Sequence, residues 1–164
     1  MRRDNSQWNE TVEPRDSGLL RLRRRWQELR AGDAVPLTTR YDPQDVPDLL
    51  PWTMLVDVEN APNVYRPFDL RSRFIGSAVG QYFGVDGEQR VTMSEIGSPF
   101  AERWFNVIDR VLATQGCCCF DGAPYRTGFD FLHCELLVLP FSTDGAAIDS
   151  LLAAFAVSMH GRTF

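Results

Sequence analysis

Residues 136–141 and 151–157 are apolar at every position, and Ser142, Thr143, Asp144 and Gly145 follow the first run. Asp-Gly between apolar runs marks a hairpin, because glycine takes a positive φ at little steric cost. Strands apolar at every position are those buried on both faces. Runs this short cannot cross a bilayer. The pattern therefore predicts two central strands of an antiparallel sheet.

The other segments follow from their own periods. Residues 1–15 are polar and unpatterned, which predicts a disordered lead-in with Trp8 solvated or loosely docked. Asp16 and Ser17 supply N-cap oxygens and Gly32 a stop, so a helix is predicted over 16–32. Its apolar positions Leu19, Leu22, Trp26 and Leu29 step by three, four and three, which places them on one face. Arg21, Arg23, Arg24, Arg25 and Arg30 cover the other faces. The stripe packs either on its own domain or against another helix. Its narrowness suits a helix–helix contact, so a homodimer through these four residues is expected.

Asp42 and Pro43 begin a short helical turn, Pro47 forbids a long one, and Pro51 delivers the chain into a strand over 52–58. Residues 65–75 alternate, with Phe68, Leu70, Ser72 and Phe74 facing one way and Asp69, Arg71 and Arg73 the other. A short helix over 77–83 is capped by Gly84, and a turn occupies 92–96. Ser98 and Pro99 start the longest helix, closed by Gly116. Its buried stripe is Phe100, Trp104, Val107, Ile108 and Val111, with Glu102, Arg103, Asp109 and Arg110 outside. Strands follow at 117–120, 129–141 and 148–157.

With 164 residues the chain reads as one domain over 40–158 carrying the N-terminal helix and lead-in. A core of that size folds without disulfide or metal. The net charge of −5 disfavours general nucleic-acid binding. All 17 basic residues are arginine, which removes Schiff-base catalysis and the lysine-dependent phosphate loop. Residues 1–13 hold no signal-peptide core and no apolar run is long enough to span a bilayer. A cytoplasmic location with reduced cysteines is expected.

The order of elements, with Asp42-Pro43, Leu49-Leu50-Pro51, Arg73-Phe74-Ile75-Gly76, Tyr82-Phe83-Gly84 and Glu135-Leu136-Leu137-Val138-Leu139-Pro140, resembles a bacterial family of stand-alone PAS proteins of unassigned function. The resemblance covers about residues 19–157. It implies an α+β PAS fold: a five-stranded antiparallel sheet in order 2-1-5-4-3, covered on one face by helices, plus the N-terminal helix as a dimer contact. It also implies a sensor or interaction module without catalysis, whose output passes to an unknown effector protein. Phe83, Ile96, Trp104, Phe105 and Ile108, with Phe74, would line the space between sheet and long helix and hold a small apolar ligand.

Haem PAS domains carry an axial histidine on the long helix, whereas the histidines here are His133 and His160. The helix phrase of photoactive flavin PAS domains is absent, so neither haem nor flavin is expected. In the run Cys117-Cys118-Cys119, alternation turns Cys118 away from its neighbours, a poor metal cage. Adjacent Cα atoms are too close for an unstrained disulfide. A hairpin turning on Arg126-Thr127 would set Cys119 opposite Cys134 and open a redox link. Glu135 lies inside an apolar strand and needs a partner, such as Arg71 or Arg73, or solvent. The readings carried beside the sensor are a small acid–base enzyme using Asp57 or Glu135 and a regulator binding nucleic acid or membrane through Arg21–Arg25.

Overall fold

The computed structural model describes residues 8–84, 92–123 and 132–159, with the backbone of 162–163. The strands are β1 (Asn9–Thr11), β2 (Thr53–Glu59), β3 (Asp69–Ile75), β4 (Cys118–Gly122), β5 (Leu132–Phe141), β6 (Ser150–Met159) and β7 (Arg162–Thr163). The α-helices are α1 (Ser17–Leu29), α2 (Ser77–Phe83), α3 (Met93–Ile96) and α4 (Phe100–Thr114). Three short 3₁₀ helices, the last at Pro47–Trp52, lie between α1 and β2.

β5 and β6 form the expected hairpin, paired antiparallel from Leu132↔Met159 to Phe141↔Ser150. Gly145 takes φ +82° in the turn. Both strands are flanked on each side, in a sheet ordered β1-β4-β5-β6-β2-β3 with β7 on β6. The five expected strands lie side by side as β3-β2-β6-β5-β4, but among the described residues the sheet has seven strands. One addition comes from the lead-in expected to be disordered, where Asn9–Thr11 pairs with β4.

Helices cover both faces, not one. On the inner face α2, α3 and α4 pack over Met54, Val56, Leu136, Val138, Leu151 and Phe155. On the outer face α1 packs over Leu137, Leu139, Phe141, Leu152 and Ala154. β5 and β6 are apolar at nearly every position because alternate side chains feed two cores.

Leu19, Leu22, Trp26 and Leu29 are all buried against this outer face, and the Trp26 indole N–H donates to the carbonyl of Pro140 at 2.8 Å. The stripe is spent within the subunit, which corrects its expected role as a dimer seam. A sheet face two strands wide and apolar throughout offers the stripe a partner inside its own chain.

α1 is also seated by charge. The Glu135 carboxylate accepts the backbone N–H groups of Arg15 (2.7 Å) and Asp16 (3.2 Å), and Asp16 caps the helix at Leu19 N. Arg71 pairs with Glu59 and Arg73 with Asp57, so neither reaches Glu135. Arg21 pairs with Asp48, Arg23 with Glu13, and Arg25 with Asp45 and Glu28.

Candidate functional site

The candidate pocket of the inner face lies where α2, α3 and α4 meet β2, β3 and β6. Met54 and Val56 from β2, Leu70, Ser72 and Ile75 from β3, and Phe155 from β6 form its floor. Val79 and Phe83 of α2, Met93 and Ile96 of α3, and Phe100 and Trp104 of α4 form its walls. The cavity measures about 30 Å³, room for about two waters. Ser72 supplies its one side-chain hydroxyl. Phe83 lies against Phe155 with centroids 4.9 Å apart, and Phe155 against Trp104 at 5.8 Å. A larger cleft of about 380 Å³ lies by the β5–β6 turn, between Val35, Gln115 and Ile148, but small side chains dominate its lining.

Of the six expected lining residues, Phe83, Ile96 and Trp104 reach the cavity. Phe105 is fully buried elsewhere, stacked on Tyr65 at 5.6 Å and edge-on to Phe68 at 5.7 Å. Ile108 is a core residue away from the lining. Phe74 is 39% exposed and points to the opposite face. Its displacement has a local cause. Leu55 faces Phe74 while Val56 faces Ser72, so Arg73 is the extra residue of a β-bulge. A bulge reverses the alternation beyond it, sending Ile75 inward where Phe74 was expected.

Two side chains absent from the expected site support it from behind. Arg103, placed outside the helix by its period, is buried; it donates to the carbonyl of Ala123 at 2.6 Å and lies 4.1 Å over the Trp8 ring. Trp8 in turn meets Trp104 edge-on at 6.2 Å. The lead-in tryptophan is therefore docked, and the helical wheel fails at Arg103 because it cannot count a strand supplied from residues 9–11.

The carboxylates singled out for acid–base chemistry lie on the other face. Asp57 alternates with the cavity residues Met54 and Val56 and pairs with Arg73; Glu135 holds the start of α1. Neither reaches the cavity.

Cys118 and Cys134 belong to the inner core and Cys117 and Cys119 to the outer one, as alternation predicts. Register corrects the proposed bridge: Cys119 faces Leu137, and Cys134 faces Gly122. Arg126 and Thr127, on which that bridge depended, lie outside the described residues, as does His160. All four thiols are free, and no group of metal-ligating side chains occurs among the described residues. Burial pushes Cys119 up from 9.0 to about 11, against the Arg23 guanidinium, and raises Cys118 and Cys134 too.

Two results are expected. Near neutral pH an aromatic disulfide reagent should modify only the half-buried Cys117 in the folded chain; rapid loss of a second thiol would contradict this. Above about pH 9 the unfolded chain ionises thiols that the folded chain keeps protonated. Folding stability should therefore fall through the range up to the raised Cys119 value of about 11, and denaturant midpoints across it measure the loss.

The family pattern described as PAS domain matches residues 15–156. The chain belongs to the PAS domain family. No curated protein and no solved structure matches it. Gly76, which closes the phrase Arg73-Phe74-Ile75-Gly76, has a steric reason in this PAS domain: its backbone crosses the carbonyls of Leu50 and Pro51 too closely for any side chain. No helix among the described residues is long and apolar enough to cross a membrane.

Proposed function

We propose that this PAS domain is a non-catalytic sensor whose cavity admits a small, uncharged, apolar molecule and whose output passes to a partner protein. The observation that carries the reading is the cavity lining: aromatic and aliphatic side chains with a single hydroxyl, Ser72, and no charged group. Such a lining excludes charged ligands, whose desolvation nothing in it offsets. At about 30 Å³ the space is far below the roughly 300 Å³ of a typical ligand pocket, so binding must move side chains. Met54 and Met93, the most adaptable residues of the lining, supply that freedom.

The remaining readings lose their support. An acid–base enzyme needs a carboxylate in the cavity, and Asp57 and Glu135 face away from it. A nucleic-acid or membrane regulator needs a run of unpaired charge on α1, where of the arginines at 21–25 Arg21, Arg23 and Arg25 are held by acids of the same chain and Arg24 is exposed.

Titration with a homologous series of bromoalkanes tests the sensor reading, because bromine quenches a tryptophan it touches. Saturable quenching is expected, lost with Trp104→Phe and abolished when Leu70→Trp fills the space. Quenching that persists in both variants would place binding elsewhere.

A further inference from the structure

The segment ahead of α1 carries an observation separate from the cavity. Residues 8–13 precede the stretch matched by the family, yet Asn9–Thr11 among them extend the sheet. Asn9, Glu10 and Thr11 face Asp121, Phe120 and Cys119 along the edge strand β4. Trp8 lies on a ledge of α4, with the Arg103 guanidinium 4.1 Å over its ring and Trp104 at its edge. Two residues on, the Glu10 carboxylate accepts N–H groups of Arg110 at 2.9 and 3.2 Å. An aromatic side chain and an acid two positions later are thus each met by a dedicated group.

The fit is incomplete. The Trp8 indole N–H is buried without an acceptor, Asn9 and Glu10 are exposed, and Val12 is 92% exposed. Only three residues form the strand.

We propose that the β4 edge and the α4 ledge form a docking groove for an extended segment of a partner protein carrying an aromatic residue two positions before an acid. The chain's own lead-in fills this groove until the partner displaces it. Main-chain pairing on an exposed sheet edge supplies the sequence-independent part of such recognition, and pockets for alternate side chains supply specificity. A tethered lead-in competes at high effective concentration, so the incoming segment must fit better. The unpaired indole N–H leaves room for that, because phenylalanine at this position strands no buried donor.

Full-length chains and a fluorescein-labelled peptide test the groove. The peptide copies residues 6–14 with phenylalanine in place of Trp8. In the chain the groove is emptied by Trp8→Ala with Glu10→Arg, which sets like charge against Arg110. Fluorescence polarisation should show the peptide binding the emptied chain about ten-fold or more tightly than the wild type. Binding should vanish when the peptide's phenylalanine is replaced by alanine.

The unaltered chain gives a second measurement that does not depend on the variant folding. Excess peptide should release Trp8 into water and shift its emission to the red, a change absent in Trp8→Phe. Three outcomes overturn the proposal: no binding to the emptied chain together with no spectral shift in the wild type, equal binding of the alanine peptide, or sedimentation showing that the emptied chain pairs with a second copy while ignoring the peptide. All three leave the bromoalkane result, and the sensor reading, untouched.

Discussion

Trp26→Ala is expected to lower the melting temperature by about 10 °C or more without changing how the chain sediments. The indole is 2% exposed and packs between α1 and the outer sheet face, so truncation opens a cavity costing about 3–5 kcal/mol. The Pro140 carbonyl also loses its donor, at a further cost of about 1 kcal/mol or more. In a chain of this length each kcal/mol moves the midpoint by about 2–4 °C. Thermal melts and sedimentation of wild type and variant separate two accounts of the helix. A small shift in melting with loss of a dimer would return the stripe to an interface between subunits. A large shift in an unchanged species places it in the core.

Gly76→Ala should cost about 3 kcal/mol, although alanine adopts the backbone angles of this position without strain. Gly76 has φ −62° and ψ 149°, ordinary extended values. The obstacle is space. An added Cβ would lie 2.6 Å from the Leu50 carbonyl oxygen and closer still to that of Pro51. Both oxygens belong to the 3₁₀ helix that delivers the chain into β2. Leu50 O also accepts the Thr53 hydroxyl at 2.9 Å, and Gly76 N–H donates to Thr53 O at 2.8 Å. Moving either strand to make room breaks the joint where β2 begins and β3 ends. Gly116→Ala is the control, since its nearest neighbour is 3.8 Å away. An unfolding free energy from denaturant melts within about 0.5 kcal/mol of wild type for Gly76→Ala would refute the steric account.

What the sequence could say depended on how local its cause was. The β5–β6 hairpin was legible because two apolar runs and Asp144-Gly145 specify it without help from elsewhere. α2 matched its expected bounds because Gly84, at φ 68°, stops it. The destination of the Leu19–Leu29 stripe was not legible, since periodicity gives the width of an apolar face and not what covers it. The lining failed in two ways. Phe74 was lost to a bulge that one strand's alternation cannot show, and Phe155 was hidden in a strand apolar on both faces. Arg103 and Trp8 required a strand too short and too polar to announce itself.

The alternating destinations of β5 and β6 bear on how the molecule can come apart. Leu137 and Leu139 serve the α1 side, while Leu136 and Val138 on the same backbone serve the α4 side. Leu152 and Leu151 divide in the same way. Lifting α1 away exposes apolar surface on strands whose other face still holds the inner core, so no layer peels off at small cost. Local openings are then confined to the sheet's rim, and the amides of these two strands exchange with solvent only when the whole domain does.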